Sequence, residues 1–139
     1  MPFTKWTDEL SIGIPELDAE HKEWLAILNE LNDAMSDNSD IKIIQNIIKR
    51  MLEYSVLHLT HEEMHMLEHK YDLFEPHKEK HNRLIRKVEL LLDRANKNSN
   101  FRLTVETILL LQNWLTNHIM VTDKKYGEYV AKLHDANAE

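Results

Sequence analysis

Histidine and carboxylate side chains recur in four separate apolar segments of this 139-residue chain. Imidazole nitrogens and carboxylate oxygens are common ligands of first-row transition metals. Helical bundles often hold metal ions in their core with such side chains, contributed by facing helices. The pattern therefore predicts a di-metal site in the core of a four-helix bundle, built by His21, His58, Glu62, His77, His81, His118 and Asp123.

Two pairs in this set have the spacing that brings both side chains to one face of an α-helix. Glu62 follows His58 by four residues, and His81 follows His77 by four. Glu63 is rotated by about a further 100° from Glu62, so we expect it to point toward solvent. Glu62 is therefore the predicted ligand of the second segment.

The last pair has a different spacing. Asp123 follows His118 by five residues, which leaves the two side chains about 140° apart on a regular α-helix. A π-type turn or a helix end between them would turn Asp123 inward, and such irregularities often accompany functional sites. No other acidic residue lies close to this segment in the sequence, so Asp123 is the predicted carboxylate.

The number of donors indicates two metal ions rather than one. Five neutral imidazoles and two carboxylates are too many for a single ion, whereas a pair of carboxylates can bridge two metals about 3.5–4 Å apart. If the histidines divide three and two, one ion is nearly saturated by protein. The other ion then keeps an open position for an external ligand.

Apolar residues at steps of three and four predict an all-α fold in which these ligands are carried by four long helices. The predicted helices cover about 15–36, 40–69, 76–96 and 101–121, after an arm over 1–14. A short helical extension over about 124–134 follows, and periodicity leaves open whether it continues the fourth helix or folds back. Short loops favour up-down-up-down packing, so we expect one domain over 1–139.

Antiparallel packing explains why ligands so distant in sequence can meet. The first and third predicted helices carry their histidines in the first turns, whereas the second carries His58 and Glu62 within about three turns of its end. Helices that alternate in direction bring these positions to the same end of the bundle.

Composition excludes several other kinds of site and partner. The chain has no cysteine, which excludes disulfides, thiolate zinc and iron–sulfur clusters. The formal net charge of −7, without a basic patch, argues against nucleic acid or an anionic membrane as a partner. The longest aliphatic run, 108–111, is far too short to cross a bilayer, so we expect a cytoplasmic protein.

Several motifs closely resemble those of the hemerythrin family, in particular its single-domain bacterial members, the bacteriohemerythrins. The family's Asp-x-x-His, His-x-x-x-Glu-Glu and His-x-x-x-His stand here at 18–21, 58–63 and 77–81. Its Trp-Leu-x-x-His-Ile-x-x-x-Asp stands at 114–123, and the likeness runs from Trp6 to about Tyr129. Glu20, where a Gln is common, and Leu59, where a Phe is usual, depart from the family pattern.

The resemblance implies two iron ions, bridged by Glu62, Asp123 and an oxo or hydroxo group. It assigns His77, His81 and His118 to the saturated iron, and His21 and His58 to the open one. It further implies reversible dioxygen binding for carriage, storage or delivery, without enzymatic turnover. The residues that would line the oxygen pocket are Trp24, Leu59, Trp114, Leu115 and Ile119. We expect dioxygen as the ligand, an unidentified oxygen-consuming protein as a candidate partner, and a monomer rather than a large oligomer.

Other functions remain open at this point. One is an oxygen or redox sensor whose di-iron state alters a partner contact, and another is a di-iron oxidase or reductase. Ferritin-like di-iron sites use four glutamates and two histidines, so this histidine-rich set favours binding over oxidation. His61, Glu62 and His65 also fit the H-E-x-x-H zinc motif, but that interpretation leaves the five predicted ligand histidines unexplained.

Overall fold

A computed structural model describes residues 3–98 and 100–138 of the chain. Within this part, a 3-10 turn over Asp8–Leu10 precedes five α-helices, and a π-helical segment over His118–Asp123 joins the last two. The helices are α1 (Pro15–Ser36), α2 (Ile41–Glu68), α3 (Phe74–Lys97), α4 (Val105–Asn117) and α5 (Lys124–Ala138). The predicted all-α fold, a four-helix bundle, is confirmed.

The helix ends follow local chemistry. Pro15 occupies the first turn of α1, where its missing N–H is not needed. The Asp40 side chain caps α2 by accepting a hydrogen bond from the Lys42 backbone N–H. Thr104 caps α4 by accepting from the Thr107 backbone N–H, so α4 begins at Val105, four residues after the predicted start of the fourth helix. Leu103 lies outside the helix and is nevertheless buried against the core.

The C-terminal extension continues the fourth helix instead of folding back. Backbone angles are helical at His118, where the π-helical segment begins, and at Lys124, which follows its last residue. The chain therefore passes from α4 through the π-helical segment into α5 without a non-helical residue. This continuity answers the question that periodicity left open.

Two apolar clusters fill the space between the elements. In the bundle, α2 packs against α1 and α3, and α1 also packs against α4. The larger cluster occupies most of the length of these helices and includes Leu28, Ile48 and Leu84. The smaller cluster joins the N-terminal arm to α5 and includes Ile12 and Tyr126.

Hydrogen bonds hold the N-terminal arm against the bundle. Asp18 on α1 accepts from the Ser11 hydroxyl at 2.6 Å and from the Ile12 backbone N–H at 2.9 Å. Further along, Asn29 exchanges two hydrogen bonds with the backbone of Thr4. Asp18, which lies close to His21 in sequence, therefore fixes the arm. Among the described residues, none of the helices combines the length and the apolar character needed to cross a bilayer.

Gly127 marks the closest approach of α5 to the arm, and it gives a prediction about stability. A Cβ at this position would overlap the backbone oxygen of Ile12. Gly→Ala in an unhindered helix stabilises by about 1 kcal/mol, whereas overpacking costs about 1–3 kcal/mol. We therefore expect Gly127→Ala to lower the free energy of unfolding measured by urea denaturation.

The neighbouring exposed residue provides the control for this prediction. Glu128→Ala alters the same helix without approaching the arm, so we expect a change within about 0.5 kcal/mol. A Gly127→Ala protein as stable as the wild type would contradict the close packing of α5 on the arm.

Candidate metal centre

All seven predicted ligand side chains lie together inside the bundle. His21 comes from α1, His58 and Glu62 from α2, His77 and His81 from α3, and His118 and Asp123 from the π-helical segment. Each of the seven is at most 4 % exposed. The antiparallel helices thus bring residues that are remote in sequence to one place, where their donor atoms form two adjoining groups.

Three histidines form the first group, around one oxygen of each carboxylate. Glu62 Oε1 lies 2.8 Å from His77 Nε2 and 3.1 Å from His81 Nε2. Asp123 Oδ1 lies 2.8 Å from His77 Nε2 and 3.0 Å from His118 Nε2. The Nε2 atoms of His81 and His118 are themselves only 3.0 Å apart. The group therefore offers three imidazole nitrogens and two carboxylate oxygens to one point.

Two histidines form the second group, around the other oxygen of each carboxylate. Glu62 Oε2 lies 3.4 Å from His21 Nε2 and 3.3 Å from His58 Nε2. Asp123 Oδ2 lies 3.2 Å from His21 Nε2. Both carboxylates thus divide their two oxygens between the three-histidine and the two-histidine group, which is the arrangement of a pair of bridging ligands.

The π-helical segment is what allows Asp123 to take part. The wider turn of this segment places both His118 and Asp123 in the interior, although they are five residues apart. The predicted π-type irregularity is therefore confirmed.

Unpaired buried atoms indicate that the cluster is built for metal ions. His21 Nε2, His58 Nε2, Glu62 Oε2 and Asp123 Oδ2 are buried and have no hydrogen-bond partner of adequate geometry. Buried polar groups in proteins are almost always paired, and each unpaired one costs about 1–3 kcal/mol. Three of these atoms, from His21, His58 and Glu62, lie within 4.8 Å of one another, and Asp123 Oδ2 lies 3.2 Å from His21 Nε2. Such a concentration of unpaired donors fits coordination by a cation.

The carboxylates also change the protonation of the histidines. Burial lowers the pKa of His21, but the nearby carboxylates of Asp123 and Glu62 outweigh burial and raise this pKa to about 10. The same balance raises the pKa of His77 to about 9. Both imidazoles are therefore protonated on both ring nitrogens at neutral pH in the metal-free protein. Metal binding must release the additional protons.

Glu63 was expected to point toward solvent, and this expectation is wrong. Its carboxylate is half-buried and accepts a hydrogen bond from His81 Nδ1 at 2.9 Å. The reason is that α2 packs against two neighbouring helices, so a rotation of about 100° from Glu62 turns Glu63 toward α3 and not toward water.

Glu20 is a second carboxylate that supports a ligand histidine, and sequence reasoning assigned it no contact. Its two oxygens accept from His58 Nδ1 at 2.7 Å and from His61 Nδ1 at 2.8 Å. Burial raises the pKa of Glu20, but these hydrogen bonds outweigh burial and lower it. Carboxylates in this position fix the orientation of a ligand imidazole and increase its basicity.

The H-E-x-x-H interpretation does not agree with the geometry. His61 is exposed and faces Glu20, whereas Glu62 points into the buried cluster. His65 Nδ1 is hydrogen-bonded to the Tyr126 hydroxyl, and its Nε2 lies 3.4 Å from Glu16 Oε1. The three side chains therefore do not surround a common point.

The residues predicted to line an oxygen pocket lie in two environments. Trp24 and Leu59 are 1 % exposed, and the Trp24 ring centroid lies 5.0 Å from that of His58, in the two-histidine group. Leu115 and Ile119 are equally buried. Trp114 is half-buried and stacks on His118 instead, with ring centroids 4.5 Å apart. Pocket lining stays a prediction for all five.

This fold and this site define a four-helix-bundle protein with a buried cluster of five histidines and two carboxylates that could hold metal ions. The model of the hemerythrin HHE cation binding domain matches residues 12–130. The bacteriohemerythrin of Pseudomonas aeruginosa LESB58 is 30% identical over 130 residues, which cover 94% of this chain and 83% of that protein. The bacteriohemerythrin of Clostridium acetobutylicum is 28% identical over 126 residues, covering 87% and 96%.

A solved structure agrees with these relatives. The crystal structure of a wild-type hemerythrin superposes with a TM-score of 0.85 at 26% identity, and covers 91% of this chain and 96% of the other. The chain belongs to the hemerythrin family. That family binds a di-iron centre, and the buried cluster described above is suited to hold one.

Removal of one bridging carboxylate gives a prediction about iron content. We expect wild-type protein, loaded anaerobically with Fe²⁺ and desalted, to retain two iron ions per chain. Asp123→Ala deletes an oxygen donor from both histidine groups, so retained iron should fall below about one ion per chain, measured by plasma mass spectrometry.

An exposed aspartate serves as the matched control for iron content. Asp135 lies on α5 outside the cluster, so the Asp135→Ala variant should keep the wild-type iron content. Circular dichroism shows whether each variant remains helical. A helical Asp123→Ala protein that still retains two iron ions would overturn the bridging role.

Proposed function

We propose that this protein binds dioxygen reversibly at its di-iron centre, for oxygen carriage, storage or delivery. In this proposal His77, His81 and His118 ligate one iron, His21 and His58 ligate the other, and Glu62 and Asp123 bridge them. An oxo or hydroxo group is the third bridge. We further propose that residues 1–139 form a single hemerythrin-like domain.

The single observation that carries the proposal is the unequal number of histidines on the two sides of the carboxylates. One group has three imidazoles and the other has two. Glu62 belongs to both groups, and Asp123 of the first group lies 3.2 Å from His21 of the second. The two-histidine side therefore keeps a coordination position that the protein does not fill. A ferrous iron pair held by these residues would supply the electrons for dioxygen binding at such a position.

The residues beside the two-histidine group exclude water and proton donors. Trp24 packs against the His21 and His58 rings. Its indole N–H donates to the Ser55 hydroxyl at 3.0 Å, and this hydroxyl donates to the Met51 carbonyl at 2.6 Å. The polar edge of Trp24 is therefore occupied, and its apolar ring faces the histidines. A dry site slows irreversible oxidation, because loss of reduced oxygen species requires protons and water.

The protein side chains also hold the ligand histidines in fixed positions. Glu20 accepts a hydrogen bond from His58 Nδ1, and Glu63 accepts one from His81 Nδ1. Each histidine group therefore contains one imidazole that a carboxylate orients. Their Nε2 atoms then face the cluster without rearrangement when metal binds. This preorganisation favours a site that takes up and releases a ligand with little movement of protein.

The ligand set favours binding over turnover. Neutral imidazoles outnumber the carboxylates, so the site is less anionic than the four-glutamate sites of ferritin-like di-iron proteins. Fewer anionic ligands give less support to highly oxidised iron. The alternative functions are an oxygen or redox sensor and a di-iron oxidase or reductase. Both differ from a carrier in what happens after oxygen is removed.

Cycles of air and argon test the proposal directly. We expect anaerobically reconstituted protein to develop a visible charge-transfer absorption in air, with one dioxygen taken up per two irons. The absorption should disappear under argon and return over repeated cycles. Irreversible oxidation in the first exposure, with consumption of an added reductant or substrate, would contradict carriage and favour an enzyme.

Two leucines on α2 provide a matched pair for the role of the dry surroundings. Leu59 is 1 % exposed and Leu57 is 49 % exposed. Leu59→Ala should open a cavity that admits water, and so accelerate loss of the oxygenated absorption by about tenfold, while Leu57→Ala should leave it unchanged. Equal lifetimes in the two variants would contradict the role of Leu59 in excluding water.

A further inference from the structure

Two adjoining grooves run along the surface between α3 and the π-helical segment. Three exposed lysines, Lys80, Lys87 and Lys125, border them, and we call this surface the lysine face. Lys80 Nζ donates to the Thr122 hydroxyl at 3.1 Å, between the two grooves. Within the part of the chain that the structure describes, no carboxylate lines either groove, although the chain as a whole carries a net charge of −7. The lysine face is therefore a locally basic surface on an acidic protein.

The lysine face is also where the metal cluster comes closest to solvent. His118 lines one groove and His77 lines the other. Their exposed fractions are 4 % and 3 %, whereas the other five cluster residues are 0 % exposed. Both histidines belong to the three-histidine group. Any exchange of electrons with another protein therefore has its shortest route through these two imidazole rings.

Apolar side chains beside the lysines give the face the character of a docking surface. Leu110 is 70 % exposed and Val121 is 65 % exposed, and both line the groove that contains His118. Trp114 lines the same groove and stacks on His118. Large apolar side chains surrounded by polar groups mark protein–protein contact sites.

We propose that the lysine face docks an acidic one-electron carrier protein, which returns oxidised iron to the ferrous state. This inference rests on the proposed function, because an oxygen-binding di-iron centre that becomes oxidised must be reduced before it binds again. In each encounter the carrier loses one electron and one ferric ion gains it, so two encounters reduce the pair. No covalent bond of either protein forms or breaks.

Charge and contact area both fit a transient redox partner. Lysines that surround the exposed ligand edge attract and orient an acidic surface, and such steering raises association rates by about 10–1,000-fold at low salt. Electron-transfer complexes are typically small and weak, with less than about 1,200 Å² buried. A groove with two exposed apolar side chains and a basic border matches that kind of contact.

Stopped-flow reduction tests the proposal on the iron-loaded, oxidised protein without dioxygen. The probe is a plant-type ferredoxin, an acidic one-electron carrier, reduced beforehand. We expect Lys80→Glu/Lys87→Glu to lower the second-order rate constant by about tenfold or more at low salt. Lys42→Glu/Lys49→Glu changes the net charge equally on α2, outside both grooves, and should lower it by less than about twofold. The difference should vanish at high salt.

Titration calorimetry with oxidised ferredoxin supplies a readout that does not depend on electron transfer. Binding should weaken in Lys80→Glu/Lys87→Glu and persist in Lys42→Glu/Lys49→Glu. If the first variant fails to retain iron, Lys87→Glu/Lys125→Glu replaces it. Reduction by the viologen radical cation, which needs no basic surface, should not be slowed in any variant.

Three results would overturn the proposal: equal slowing in both variants, equal rates in wild type and variants, or calorimetry that shows self-association of this chain through the lysine face in place of ferredoxin binding. Reversible oxygen binding is not measured in these assays. Loss of oxygen reversibility with intact lysine dependence would therefore reject only the proposed function, and the opposite result would reject only the docking site.

Discussion

The structure depends on two buried carboxylates that are shared between two sets of histidines. Glu62 and Asp123 are fully buried, and an isolated carboxylate in a protein interior costs several kcal/mol. Five imidazoles around them compensate that cost, and they lower the pKa of both carboxyl groups even though burial raises it. Each carboxylate has one oxygen toward each histidine set, so the cluster consists of two adjoining groups joined through Glu62 and Asp123.

The rest of the fold can be understood as the support for this cluster. Trp24 of the larger apolar cluster lies beside His58, and Tyr71 of the smaller one lies beside His77, so apolar packing borders both histidine groups. Asp18 fixes the arm, and Gly127 lets α5 pack closely on it. Glu20 and Glu63 orient histidines from the outside. The lysine face is the exception, because there the histidine edges approach solvent.

Much of this arrangement was predictable because helical periodicity and ligand spacing are local properties of a sequence. The step of four from His58 to Glu62 places both on one face. The step of five from His118 to Asp123 predicted either a π-type turn or a helix end, and the structure has a π-helical segment there. The contacts of Glu20 and Glu63 were not predictable in the same way. They depend on which neighbouring helix a side chain meets, and rotation about one helix axis does not give that information.

Anomalous diffraction at the iron absorption edge, on crystals of the anaerobically reconstituted protein, tests the central claim most directly. Bridging by both carboxylates predicts two iron peaks about 3.5–4 Å apart, one beside His77, His81 and His118 and the other beside His21 and His58. A single peak among the seven side chains, or peaks located away from Glu62 and Asp123, would contradict the account.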